Sequence, residues 1–144
     1  MSTLPRHRPL SLLIGDDDSS VRACVAELVS PMGCRVHLAA TGGESLRILL
    51  NTRIDLSILD IHMPDMTGME VFERYVRGPF IAGPDRAPAP PQPRRLPTIF
   101  MSSEATPAIR SFCQSTGSWF LDKPFAPDDM RLAIERLLAG GSRS

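Results

Sequence analysis

A doubly wound α/β domain, with a parallel five-stranded sheet in the order 2-1-3-4-5 and helices on both faces, is predicted by three observations. Short apolar runs bounded by turn residues alternate five times with stretches whose apolar residues recur at helical spacing, and such alternation builds parallel sheets through right-handed crossovers. The clearest runs, Leu10 to Ile14 and Leu56 to Leu59, are nearly continuously apolar, as strands buried on both faces are. Of the doubly wound orders, 2-1-3-4-5 suits five strands best, and it brings the exits of strands one and three together at the switch point.

In chain order, the first strand ends in Gly15 and the acidic run Asp16, Asp17 and Asp18. Asp18 or Ser19 can cap the helix that follows, with Val21, Val25, Leu28 and Met32 as its apolar positions and Pro31 and Gly33 closing it. Cys34 to Ala39 is β-compatible. Thr41 and Glu44 form a capping-box pattern, opening a helix with Leu46, Leu49 and Leu50 on one side. The third strand ends at Asp60, followed by His62, Met63, Pro64 and a loop to Gly68; Val71, Phe72, Tyr75 and Val76 then mark a helix to about Arg77. Gly78 to Pro97 holds seven of the fourteen prolines, a density that no strand or helix interior tolerates, and reads as an extended insertion. Thr98 to Met101 is a strand leading into Ser102. Thr106 and Pro107 begin a helix as cap and first-turn proline. Trp119 to Leu121 is the last strand, with Lys123 and Pro124 at its exit, and Pro127 starts a final helix carrying Met130, Ile134, Leu137 and Leu138. Residues 1–9 thus read as a tail, 10–140 as one domain with an insertion at about 78–97, and 141–144 as a second tail.

Composition narrows the function. A chain of 144 residues, 42% hydrophobic and of zero formal net charge, fits one globular domain and lacks the basic excess of a general nucleic-acid binder. No apolar run reaches the ~20 residues that span a membrane, so neither nucleic acid nor membrane is an expected partner and the expected compartment is the cytoplasm. Cys24, Cys34 and Cys113 are scattered and odd in number, which suggests free thiols. Lys123 is the only lysine among sixteen basic residues, which marks a position that a planar guanidinium would serve differently.

In the predicted topology Asp16, Asp17, Asp60, Ser102 and Lys123 all lie at carboxyl ends of strands. Three uncompensated carboxylates would repel; a hard divalent cation such as Mg2+, which takes oxygen ligands, removes the conflict. Carboxylate nucleophile, metal, hydroxyl and ammonium form a set suited to phosphoryl transfer, with Asp60 forming an aspartyl phosphate. The plainer readings are helix capping for the acidic run, a turn role for Asp60, a solvated Lys123 and a core Phe120.

The chain resembles the receiver domain of bacterial two-component response regulators. The resemblance rests on Asp16-Asp17, on Asp60 with Met63-Pro64 and Gly68, on Ser102, and on Phe120 with Lys123-Pro124-Phe125, and it runs from about Leu10 to Leu138. It implies that Asp60 accepts a phosphoryl group from a phosphohistidine of a sensor histidine kinase or histidine phosphotransfer protein. Asp17, Asp60 and the backbone carbonyl of His62 would ligate Mg2+, with Asp16 nearby through water. Lys123 would pair with the phosphoryl oxygens, Ser102 would hydrogen-bond the phosphoryl group, and Phe120 would turn inward after it. The changed surface would be the fourth helix, fifth strand and fifth helix, read by a downstream protein target or used to relay the phosphoryl group. Such a protein, a monomer or weak dimer, catalyses only its own phosphorylation and dephosphorylation.

Four departures from the family pattern stand out. The acidic run has three members, and Asp16-Asp17 is preferred because Arg22 then falls five residues after the second acid. Ser102 stands where Thr is more frequent, Thr116-Gly117 where Gly-Ala is usual, and the proline-rich insertion is not standard. With nothing after the last helix, a stand-alone switch is expected. The alternatives are a pseudo-receiver that binds without phosphorylation and a metal-dependent phosphatase with an aspartyl intermediate. The latter resembles a pattern with two aspartates one residue apart, whereas His62 stands two positions after Asp60. His62 and Glu104 flank the site and, by the same resemblance, tune the lifetime of the phosphoryl group; a solvated role is the plainer reading.

Overall fold

The computed structural model describes residues 9–77 and 95–140. The proline-rich stretch lies outside the described residues as far as 94, and so do both tails apart from Pro9. The elements run β1 (Ser11–Gly15), α1 (Ser19–Val29), a 3-10 turn (Ser30–Met32), β2 (Arg35–Ala39), α2 (Gly42–Asn51), β3 (Leu56–Asp60), α3 (Gly68–Arg77), β4 (Thr98–Ser102), α4 (Pro107–Thr116), β5 (Trp119–Asp122) and α5 (Pro127–Gly140). All pairings are parallel, and the strand order is β2-β1-β3-β4-β5. The predicted doubly wound order is therefore the observed one.

Position in the sheet sets the apolar content of each strand. The three inner strands β1, β3 and β4 are buried along their whole length, whereas β2 and β5 at the edges are only partly so. Successive side chains point to opposite faces. Leu12, Ile14, Ile58, Ile99 and Met101 thus pack with Val25, Val29, Met130, Ile134 and Leu137 of α1 and α5, while Leu13, Leu59 and Phe100 pack with Leu49, Val71, Phe72, Ile109 and Cys113 of α2, α3 and α4. On that second face Phe72, Phe100 and Phe112 meet edge to face, with centroids 5.7–5.8 Å apart, the arrangement that ring quadrupoles favour. The polar pair Ser57 and Thr98 sits inside the sheet because it is satisfied: the hydroxyls lie 2.9 Å apart and Thr98 donates to the Leu96 carbonyl at 2.8 Å.

Three expectations are corrected. Met32 and Leu50, read as core positions, are 37% and 43% exposed. The regular helix ends at Val29, so Met32 leaves its stripe in the 3-10 turn; in α2 the inward positions are Gly42, Ser45 and Leu49, one residue out of phase with Leu50. The insertion also ends earlier than 97. Leu96 is buried in the second core, and the Pro97 carbonyl accepts from the Ser57 amide at 2.9 Å, so both belong to the approach of β4. Gly33, with φ 71°, stops the first helical segment in the left-handed conformation that glycine adopts without strain.

Candidate functional site

The carboxyl ends of the strands carry the chemistry. Parallel pairing puts Gly15 beside Leu59 and Asp60 beside Met101, so the chain leaves β1, β3 and β4 at one level. The residue after Gly15, Asp16, is wholly buried: its amide donates to the Ala39 carbonyl at 3.0 Å, and its Oδ1 accepts from the Asp18 amide at 2.9 Å. Asp18 itself faces outward and caps α1, accepting from the Ser20 amide at 2.8 Å. The three acids of the run are thereby separated by role, one buried, one exposed in the cleft and one a cap. Arg22 reaches back from α1 and donates to the Asp16 carbonyl at 2.6 Å, which fixes the turn.

Asp60, at the end of β3, is 4% exposed. Asp16, Asp17 and Asp60 each offer an oxygen within 4.8 Å of the others. Lys123 bridges two of them, with Nζ 2.8 Å from Asp16 Oδ2 and 3.1 Å from Asp60 Oδ1. Its amide donates to the Ser102 carbonyl at 2.9 Å, and the Lys123-Pro124 peptide is cis. Burial pushes the Asp60 carboxyl above its ordinary value, the negative charges of Asp16 and Asp17 add to that push, and Lys123 opposes it. For Lys123 burial would lower the value, but the hydrogen bond to Asp16 and the charge of Asp60 outweigh it and hold the ammonium protonated. One ammonium among three close carboxylates leaves net negative charge in a mostly buried cleft. A set of hard oxygen donors with that imbalance fits a divalent cation such as Mg2+.

The other residues expected at the site, Ser102, His62 and Phe120, lie around this cleft. Ser102 ends β4 and is buried, but its hydroxyl is turned into its own loop, donating to the Glu104 carbonyl at 3.0 Å and accepting from the Glu104 amide at 2.9 Å. The His62 side chain points to solvent with Nε2 3.8 Å from Glu104 Oε1. Phe120 of β5 is half-buried against the second core, with the Arg110 guanidinium 5.5 Å above its ring. It borders a cavity of about 280 Å³ that Arg110, Gln114 and Trp119 also line.

Gly68 holds the loop after Asp60 close. Its amide donates to the Ile61 carbonyl at 3.0 Å, and a Cβ there would lie 2.5 Å from the Asp60 carbonyl oxygen, so only glycine fits without a shift. Sequence reasoning missed Asp65, whose carboxylate accepts from the amides of both Gly42 and Gly43 at 2.8 Å. Its only trace in the sequence is an acid in the loop and a glycine pair at the start of α2.

A doubly wound domain with an acidic triad and a bridging lysine at its switch point belongs with the α/β proteins that carry their chemistry at the carboxyl ends of the strands. The chain matches the response regulator receiver domain over residues 12–135 and belongs to that family. It is 30% identical over 131 residues to the response regulator MprA of a Mycobacterium species, covering 90% of this chain and 51% of that protein. Over 131 residues it is 29% identical to the sensor histidine kinase AtsR of Burkholderia thailandensis, covering 91% of this chain and 20% of AtsR. The chain thus spans about half of one relative and about a fifth of the other. Among solved structures it is similar to a CheY-like receiver domain protein from Methanospirillum hungatei, with a TM-score of 0.73 and 26% identity over 91% of this chain and 94% of that one. Among the described residues no helix is long and apolar enough to cross a membrane.

Proposed function

We propose that Asp60 accepts a phosphoryl group from a phosphohistidine on a sensor histidine kinase or histidine phosphotransfer protein, in a Mg2+-dependent reaction. The observation that carries the reading is Lys123 Nζ at 2.8 Å and 3.1 Å from two members of a carboxylate triad at the strand exits. A carboxylate oxygen of Asp60 forms the new bond to phosphorus as the phosphorus–nitrogen bond breaks, and the departing imidazole keeps the electron pair and takes up a proton. The ammonium of Lys123 faces the transferred oxygens. Asp17, Asp60 and the backbone carbonyl of His62 would hold Mg2+, with Asp16 acting through water, and the cation would supply positive charge for the phosphoryl oxygens. Transfer is then mainly a matter of positioning, which suits a cleft in which the Asp18 amide fixes Asp16 and Lys123 ties Asp16 to Asp60.

Ser102 exchanges its bonds to Glu104 for one to the phosphoryl group, Phe120 follows inward, and the surface of α4, β5 and α5 changes for a downstream protein target. Relay of the phosphoryl group onward uses the same chemistry in reverse. On this reading the chain catalyses its own phosphorylation and dephosphorylation and no other turnover. The test is intact mass after incubation with acetyl phosphate and Mg2+. One added phosphoryl group, absent in Asp60→Asn and with a chelator, supports the reading; no addition to the unaltered chain overturns it in favour of phosphorylation-independent binding.

A further inference from the structure

The loop from Ile61 to Gly68 is tied at both ends by backbone bonds, the Ile61 amide to the Met101 carbonyl at 2.8 Å and the Gly68 amide to the Ile61 carbonyl at 3.0 Å. A reciprocal capping box closes its far side, with Glu70 Oε1 accepting from the Thr67 amide at 2.8 Å and Thr67 Oγ1 from the Glu70 amide at 3.0 Å. Between these ties, Asp65 gives the loop two short hydrogen bonds to the rest of the domain, each oxygen taking one amide at the start of α2, while His62 adds only its 3.8 Å contact with Glu104. The glycine pair makes that contact possible. A Cβ on Gly42 would collide with the Met66 side chain, and one on Gly43 would lie 3.1 Å from Asp65 Oδ2. The amides of Gly43 and Gly42 hold the Asp65 carboxyl below its ordinary value, as expected of an anion at a helix N-terminus.

We infer that Asp65 is a positioning residue for the metal site: by clamping the middle of this loop onto α2 it fixes the path of the backbone at His62, three residues earlier. The inference rests on the metal reading proposed above. Among the described residues Asp65 bonds to backbone amides and to no member of the carboxylate triad, so its effect passes through the loop. Residues that orient metal ligands in this indirect way are commonly worth about tenfold or more in affinity.

Titration of the full chain with Mg2+ by isothermal calorimetry tests this, comparing the unaltered protein with Asp65→Ala, Asp65→Asn and Thr41→Ala. Thr41 Oγ1 accepts from the Glu44 amide at 3.0 Å, so Thr41→Ala weakens the same helix end without touching the loop. The expected result is an approximately tenfold rise in the dissociation constant for Asp65→Ala, a smaller rise for Asp65→Asn, which keeps one acceptor oxygen, and none for Thr41→Ala. If Asp65→Ala does not fold, the comparison of Asp65→Asn with Thr41→Ala decides the matter. Equal affinities across the series, or equal losses in the Asp65 and Thr41 variants, overturn the inference and leave the metal site standing. No Mg2+ binding by the unaltered chain overturns both.

Discussion

Replacing Asp60 with Asn should stabilise the fold, against the usual cost of altering a buried residue. The geometry sets the magnitude. Carboxylate oxygens within 4.8 Å repel by about 3.5 kcal/mol per pair at an effective dielectric of about 20. Lys123, at 3.1 Å from Asp60, returns about 5 kcal/mol on the same scale. With the exposed Asp17 discounted for solvent screening, repulsion and attraction nearly cancel, so the burial of the Asp60 carboxylate, the largest cause of its raised pKa, decides the sign and leaves a gain of about 1 kcal/mol for Asp60→Asn. For a domain of this size that raises Tm by about 3–6 °C.

The pH dependence has a definite sign. The folded-state pKa of Asp60 is raised above its ordinary value of 3.8, so between the two values the native state binds more proton than the unfolded chain, and stability falls as pH rises through that window. The advantage of Asp60→Asn should accordingly be small at low pH and full at neutral pH. Thermal unfolding at several pH values measures it, and added Mg2+ should narrow the gap by stabilising the unaltered chain more than the variant. A variant less stable than the unaltered chain at neutral pH without Mg2+ would refute the electrostatic account of the cleft.

Lys123→Met removes the counter-charge and should act in the opposite direction, costing about 2–4 kcal/mol in denaturant unfolding because the carboxylates lose their buried partner; Mg2+ should restore part of that loss. Gly68→Ala should cost about 1–3 kcal/mol through the 2.5 Å approach of its Cβ to the Asp60 carbonyl, and the shift should lower the rate of phosphorylation by acetyl phosphate. Asp18→Ala should cost about 1 kcal/mol as a lost helix cap while leaving Mg2+ affinity unchanged by calorimetry. An affinity loss in Asp18→Ala comparable to that in Asp17→Ala would place the third acid in the metal set.

The strand ends were the legible part of the site. Once five apolar runs fix a parallel sheet, any polar residue just past a strand is delivered to the same edge, which is why Asp16, Asp60 and Lys123 meet although 107 residues separate the first from the last. Helix phase was less legible near termini. Leu50 fits an apolar period as well as Leu49 does, and only the packing of Ser45 and Gly42 against neighbouring elements selects one face. The capping box at Thr41 shows how side-chain bonds slide by a residue: Thr41 accepts from the Glu44 amide as expected, but Glu44 accepts from Ala40 at 2.7 Å rather than from Thr41. Ser102 was found by its place, and its present partner, Glu104, follows from the local turn. Asp65 could not be read at all, since its partners lie 22 and 23 residues away and are backbone amides with no side-chain signature.

The three phenylalanines on the second face link α3, β4 and α4 through a single aromatic knot, and Phe100 at its centre has no exposed surface. A ring enclosed in this way can rotate by half a turn only when its neighbours draw apart, because the interior is packed to crystal-like density. The flip rate of Phe100 therefore works as an internal clock for the breathing of that layer. Slow exchange between its two ring edges in a nuclear magnetic resonance spectrum would mean that α3 and α4 move as one slab, and rapid averaging would mean that α4 slides freely over the sheet.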